Sequence, residues 1–552
     1  MDGWEADGTI VGVDATEAAP QPAFTFVDLF AGIGGFHAAL SALGGQCVYV
    51  SEIDQDARDV YRANWGEHVN PYDASAQPMV GETNPAIRGD INDDAPQRED
   101  PTYAGDGTMR VPPHDVLAAG FPCQAFSKSG SQQGVLDKTR GTLFFNIIRI
   151  LQERRPKIVF LENVRNLAGP RHLLTTWQTI IDALEELGYE VSREPMVVSP
   201  HLIPAHHGGT PQVRDRVFIM AIYKGVDRRA LAKDIRPTLR RAEMAKDAPV
   251  WDLATTPIPW LGGRPILQQD EEVSDLQRYA VTGPETEWID AWDAFVQIMR
   301  GAGVALPGHP IWTEYFVRKD DLPPDRLAVL VAMPPWKQNF VRKNMLFYKD
   351  NESLVEQWKE LPVMARFDEF PESRRKLEWQ AQDAESLWDC LLQLRPSGIR
   401  AKLPTYVPAL VAITQTSIVG RRRRRLTPRE VARLQGFDDS FTFAGKTDAA
   451  AYKQMGNGVS AGAVHYSMCR FVDDHAEEVR RTLPGLVDAV RLADGQGWRP
   501  PRGGGNEAPR LHLPAAAGSY LIDRSATATA RPTASAARAQ QTTGPAPASP
   551  AA

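Results

Sequence analysis

The chain is poor in cysteine and has no long apolar run. Its four cysteines, Cys47, Cys123, Cys390 and Cys469, are scattered over 552 residues. That spacing excludes a disulfide framework and any thiolate metal cluster, so no metal is expected. Isolated thiols are expected to stay reduced, as in a cytoplasm. No apolar run approaches the roughly 18 residues a bilayer span needs, and no membrane association is expected. The first 22 residues contain no lysine or arginine, so they do not form a secretory leader and read as a disordered acidic arm. The net charge is −7, which argues weakly against an anionic partner. Local distribution matters more than the sum. Between Arg395 and Arg433 there are ten basic residues, and Glu430 is the only acid.

What is present first is a βα alternation. FTFVDLF, QCVYVSE, DVLAAGF, KIVFLEN and RVFIMAIY are short apolar runs of buried-strand type. FHAALSALGG, LFFNIIRILQERRP and HLLTTWQTIIDALEELG carry helical periodicity between them, closed by glycine or proline. Such alternation predicts an α/β fold, a doubly wound, mostly parallel sheet covered on both faces. From about Lys224 to Thr416 the alternation stops. Prolines recur, and nine of the thirteen tryptophans lie between Trp251 and Trp388. This stretch reads as a separate, irregular domain whose tryptophans are mostly core. LTPREVARLQGF then predicts a helix with a capping box, Thr427 as cap and Glu430 three residues on. A last helix is expected from near Val459 to Arg480, and the Pro-, Gly- and Ala-rich tail from about Gln496 is expected to be disordered. The chain divides accordingly into an arm (1–22), an α/β domain (23–224), the irregular domain (225–420), a return segment (421–495) and a tail (496–552).

Five clusters carry candidate chemistry. FAGIGG, with Gly32, Gly34 and Gly35 between a strand and a helix, lets backbone N–H groups approach a ligand; a plain tight turn is the competing reading. Glu52 ends the next strand, where an acid can bond ribose hydroxyls, and Asp90 is a further acid near a strand end. Cys123 follows Pro122 just past a strand and is a soft nucleophile if ionised, though a lone cysteine is commonly a small buried hydrophobe. Glu162 and Asn163 follow another apolar strand. Gln212, Arg214 and Arg216 alternate and would share one face of an extended segment, either to bind an anion or as a solvated strand edge. Finally, Gly456-Asn457-Gly458 precedes the last helix.

In this order the motifs resemble those of the C5-cytosine DNA methyltransferase family: PCQ, ENV, Q-x-R-x-R, R-x-L-T-P-R-E and QMGNxV. The resemblance runs from Phe26 to about Lys224 and from about Arg395 to Phe471. It implies the fold of S-adenosylmethionine-dependent methyltransferases with a target-recognition domain in the irregular stretch. It also implies S-adenosyl-L-methionine as cofactor, with S-adenosyl-L-homocysteine as product. Phe30, Ala31, Gly32, Ile33, Gly34, Gly35, Glu52, Ile53, Asp90, Ile91, Pro122, Leu143, Asn457 and Val459 would form its site. Cys123 would be the nucleophile, Glu162 would grip the base, and Arg214 and Arg216 would hold the cytosine O2 and the site geometry. The segment from Cys123 to Leu143, with Ser127, Ser129, Gly130 and Gly134, resembles the family's mobile catalytic loop.

Double-stranded DNA is the partner this implies, handled by a cytoplasmic, nucleoid-associated bacterial monomer that can be paired with a restriction endonuclease. The arginines Arg421 to Arg425 are expected to meet phosphates. Two departures stand out: Gly208 occupies a place where the family often has an aromatic residue, and the acidic stretch from Arg88 to Asp115 reads as an insertion. Rival readings are a tRNA cytosine methyltransferase, which the large irregular domain disfavours, and a non-catalytic DNA-binding regulator, which the intact Cys123, Glu162 and Arg214 disfavour.

Overall fold

Continuous apolar runs explain the central sheet, because successive side chains point to opposite faces and each strand must bury both. The computed structural model describes residues 21–71, 84–96, 107–122, 143–191, 196–225, 248–322, 324–382, 384–410 and 416–503. In chain order the first strands are β1 (Phe24–Leu29), β2 (Gly45–Ser51), β3 (Ile87–Arg88), β4 (Val116–Gly120), β5 (Ile158–Val164), β6 (Tyr189–Val191), β7 (Met196–Val198), β8 (Gln212–Val213) and β9 (Arg216–Tyr223). Eight of them form one sheet in the order β3-β2-β1-β4-β5-β9-β6, with β7 also on β9. Strands β1 to β5 are parallel, as expected, while β9 runs antiparallel to β5, β6 and β7.

The two faces read directly from the strands. Phe26, Val116, Ala118, Ile158, Phe160, Phe218 and Met220 bury into one core, and Val27, Leu29, Leu117, Val159, Leu161, Val217 and Ile219 into the other. Each such apolar side chain contributes about 1.5–3 kcal/mol on burial. The register between β1 and β2 shifts between Phe26 and Val27, and Asp28, on a strand covered on both faces, has no exposure. The covering helices are α1 (Gly35–Ser41), α2 (Gln55–Trp65), α3 (Ile91–Asp94), α4 (Leu143–Arg154) and α5 (Gln178–Glu186); α1, α4 and α5 fall where the periodicity placed them, and α2 and α3 are additional.

The chain's return closes the domain. The helix Ala461–Asp474 packs beside α1, so the first and last motifs meet as the resemblance implies. Gly208 explains one departure. It has φ +93, and a Cβ on it would sit 2.7 Å from the Gly462 Cα. Two backbones touch there, and an aromatic side chain has no room. The expected single last helix is instead three, Ala461–Asp474, Ala476–Thr482 and Pro484–Gln496. The expected tail boundary also moves, since Trp498 is buried against the core.

The irregular domain holds a second, six-stranded sheet in the order β10-β11-β13-β12-β15-β16. Its strands are β10 (Ile311–Trp312), β11 (Lys376–Gln380), β12 (Leu391–Arg395), β13 (Gly398–Lys402), β15 (Ile418–Val419) and β16 (Arg424–Arg425); β14 (Val407–Pro408) pairs with β8 instead. Trp292, Trp358 and Trp379 fill its core, as expected of core tryptophans. The expected start at 225 does not hold for the segment from Trp251 to Leu267. Trp251, Leu253, Ile258 and Leu267 bury in the α/β core, and the Trp251 Nε1–H donates to the His201 carbonyl at 2.7 Å. An apolar segment follows the surface it can bury against, whatever its place in the chain.

Candidate active site

The loop after β1 is held by its own backbone. Phe30, Gly32 and Gly34 all have positive φ, at 56, 55 and 90°. For Phe30 that left-handed conformation costs on the order of 1–3 kcal/mol, stored at the end of β1. A side chain at Gly35 would strike the Val459 carbonyl oxygen, 2.6 Å from the built Cβ. The Gly32 N–H donates to Glu52 Oε2 and the Asp54 N–H to Glu52 Oε1, each at 2.8 Å. Glu52 is therefore fixed at the end of β2 as an acceptor, and burial raises its pKa above the usual carboxylate range. Ile53 beside it is 71% exposed, an apolar side chain left uncovered at a strand end. Asp90 caps α3, accepting from the Asn92 N–H at 2.9 Å, and Leu143 opens α4. An added Cβ on Gly32 would meet no described residue within 4 Å, so among the described residues the loop leaves room for a ligand. Asn457 is exposed at the end of the helix Asp448–Asn457, and Val459 is half-buried.

A second group lies along the same carboxyl edge of the sheet, at the ends of β4 and β5. This edge includes the point between β1 and β4 where strand order reverses, the usual ligand crevice of such sheets. The alternation that buries Ile158 and Phe160 brings Glu162 to the same face of β5. On β9 it brings Arg216 into line with Phe218 and Met220. Glu162 and Arg216 consequently meet, with Arg216 Nε 2.9 Å from Glu162 Oε1 and both side chains largely buried. Gly120 pairs with Glu162 across β4 and β5. Having no side chain, it leaves the space in front of the carboxyl group. Burial raises the Glu162 pKa, opposed by the charges of Arg216 and Arg214. Phe121 and Pro122 continue β4 toward Cys123. Cys123 and the loop residues Ser127, Ser129, Gly130 and Gly134 lie outside the described residues.

Arg214 does something the sequence did not disclose. It is fully buried, and its guanidinium donates to the Leu410 carbonyl at 3.0 Å, to the Gly456 carbonyl at 2.9 Å and to the Gly458 carbonyl. It ties the end of β8 to the return segment, and its buried Nε keeps no hydrogen-bond partner among the described residues. Gln212 is fully buried too, so the Gln212–Arg214–Arg216 row is not a solvated edge. Asp28 was also missed, although its signal was present as an acid inside an apolar strand. No described side chain pairs with its oxygens, and burial, opposed in part by the His37 backbone N–H, pushes its pKa well above the usual carboxylate range.

The structure overturns the expected phosphate contact for the buried Arg424 and gives the other four arginines partners within the protein. Arg424 is buried against Glu430, Nη2 to Oε1 at 2.8 Å. Arg425 pairs with Glu285 at 2.5 Å, Arg421 with Asp389 at 3.0 Å and Arg422 with Asp270 at 3.4 Å. Arg423 lies over the Trp388 ring, 4.1 Å from its centroid. Apart from Glu430 the acids are distant in sequence, so folding pairs four of the five charges of a run that looks unneutralised. It fastens the second sheet to the capped helix Pro428–Leu434.

Comparison with known proteins agrees with this geometry. The family described as C-5 cytosine-specific DNA methylase matches residues 24–468. The Type II methyltransferase M.AluI of Cellulosimicrobium cellulans is 43% identical over 540 residues, 85% of this chain and 96% of that protein. The Type II methyltransferase M.HhaI of Haemophilus parahaemolyticus is 38% identical over 195 residues, 35% of this chain and 48% of its own. M.HpaII of Haemophilus parainfluenzae, also a Type II methyltransferase, is 39% identical over 202 residues, 36% and 46% of the two chains. With the glycine loop, the Glu162–Arg216 pair and a family match across most of its length, the chain belongs to the C-5 cytosine-specific DNA methylases.

Proposed function

We propose that this protein methylates C5 of a cytosine flipped out of a specific duplex DNA sequence, with Cys123 as nucleophile. The observation that carries the assignment of roles is the buried Glu162–Arg216 pair beside the end of β4, the strand that precedes Cys123 in the sequence. Cytosine C5 is too weak a nucleophile to be alkylated directly. Addition of the Cys123 thiolate at C6 makes C5 enamine-like. Glu162 bonds N3 and the exocyclic amine and stabilises the charge that this addition places on the ring. Its raised pKa suits it to carry a proton for N3. Arg216 orients Glu162, and Arg214 fixes the wall behind both, with Nε left to meet the base O2. Loss of the C5 proton after alkylation lets the thiolate depart. The base must leave the stack first, at a cost of a few kcal/mol.

The first group of residues fits an adenosine-bearing cofactor. Ile53 and Phe30 offer apolar surface for a ring, Glu52 offers a fixed acceptor for hydroxyls, and Gly32 leaves room for close approach. Asp90, Ile91, Leu143, Asn457 and Val459 would complete that site. Bound there, S-adenosyl-L-methionine supplies an electrophilic methyl group and leaves as S-adenosyl-L-homocysteine. The Type II relatives support pairing with a restriction endonuclease, acting wherever chromosomal DNA is held, in a bacterial cytoplasm and as a monomer.

A duplex carrying 5-fluorocytosine in the preferred site tests the chemistry. Turnover should stall as a covalent adduct through residue 123, because fluorine cannot leave as a proton does. Cys123→Ser should bind the duplex without forming the adduct. A folded wild-type protein that methylates the natural duplex without ever being trapped would overturn the reading.

A further inference from the structure

A cavity of about 360 Å³ lies where the second sheet faces the α/β domain, bordered by Arg395, Arg400, Pro408, Leu410, Arg425 and Tyr452. Its position is tied to the base crevice. Pro408 pairs with Val213 across β14 and β8, and the Leu410 carbonyl accepts from Arg214. The strand pair that leads into Arg214 thus also walls this cavity. On its sheet side, Glu378, Arg400 and Gln393 stand opposite one another on β11, β13 and β12. Their neighbours Leu377, Ile399 and Leu392 point into the buried core, so the polar row faces away from it.

Arg400 is aimed. Its Nε and Nη2 donate to Glu378 Oε2 at 2.7 and 2.5 Å. Glu378 is held in turn by the Ser397 hydroxyl at 2.9 Å and by Arg395. One edge of the guanidinium is taken, and no described residue takes the other. Around the cavity three arginines meet two carboxylates, Glu378 and Glu285, which leaves one positive charge. A fixed guanidinium edge presents parallel N–H donors. In a DNA groove the matching pair of acceptors is O6 and N7 of guanine. A phosphate would also match, but it would sit against the Glu378 carboxylate, which repels it.

We propose that Arg400, positioned by Glu378, is a specificity-determining residue that reads a guanine in the major groove close to the target cytosine. The proposal rests on duplex DNA being the substrate. The test is methylation of a duplex library randomised around cytosine, read by sequencing after bisulfite conversion. Wild type should require a G·C pair at one position near the methylated base. Arg400→Ala should lose that requirement at that position alone, with kcat/KM on the best wild-type duplex falling about 5- to 150-fold. Glu378→Gln should loosen the same position less. Arg400→Lys keeps the charge without the fork, so it should also relax that position, and it serves if the alanine variant does not fold. A preference profile identical to wild type at every position overturns the proposal. So does a uniform loss across sequences with a salt dependence shallower by about one ion, which would mark a phosphate contact. If wild type methylates no duplex at all, the functional reading has failed rather than the reading of Arg400.

Discussion

Replacing Glu162 by glutamine separates the chemistry of the site from its architecture. The amide keeps the size of the side chain and an oxygen for the Arg216 Nε that now sits 2.9 Å from Oε1. It also keeps a donor and an acceptor for the cytosine edge. What it loses is the ability to pass a proton to N3. A positioned acid contributes about 10²- to 10⁴-fold, or about 3–5 kcal/mol at 1.36 kcal/mol per decade. Against this, the bond to Arg216 changes from charged to neutral. That weakens it by about 1–1.5 kcal/mol and is partly offset because a carboxylate no longer has to be desolvated. The expected outcome is a single-turnover methyl-transfer rate lower by two to four decades, with stability to denaturant changed by roughly 1 kcal/mol or less. The pH profile gives an independent reading. Burial raises the Glu162 pKa, so the wild-type rate should fall as pH rises through that raised value and the proton is lost. Glutamine has no such proton, and that alkaline fall should vanish. A variant within tenfold of wild type, or one that keeps the same alkaline limb, would refute the role of Glu162 as the acid.

Two further outcomes follow from buried charge. Arg424→Met would leave Glu430, which has no exposure, as an unpaired buried carboxylate and should cost about 3–5 kcal/mol in chemical denaturation. The salt dependence of DNA binding should not change; a slope reduced by about one with stability intact would restore a phosphate contact for this arginine. Asp28→Asn removes a carboxyl group that the fold keeps protonated. In the unfolded chain that group ionises near pH ~3.9 while the native state still holds its proton, so wild-type stability falls as pH rises above that value. The Tm of the variant minus that of wild type should therefore grow as pH rises above about 4, and parallel curves would refute the burial argument.

Much of the α/β half was legible because its signals are local. Strands of alternating or continuous apolar residues, glycines at turns and the Thr427–Glu430 capping box each depend on residues a few positions apart, and the structure keeps all of them. The meeting of Glu162 and Arg216 was half-legible. Each stands in a visible motif, but their pairing depends on β9 lying antiparallel beside β5, which no short window encodes. The second sheet, the insertion of Trp251 into the α/β core and the burial of Arg214 were not legible at all.

The sequence by itself determined which residue types were available for chemistry and which segments would become strands or helices, because both follow from side-chain chemistry and short-range periodicity. Only the tertiary structure decided what each charge meets. Arg421 to Arg425 look like an open basic surface in one dimension, yet their partners Asp389, Asp270, Glu285 and Glu430 come from as far as 154 positions away in the chain. Coulomb energy depends on distance through space, and chain separation carries no information about that distance until the hydrophobic cores have formed.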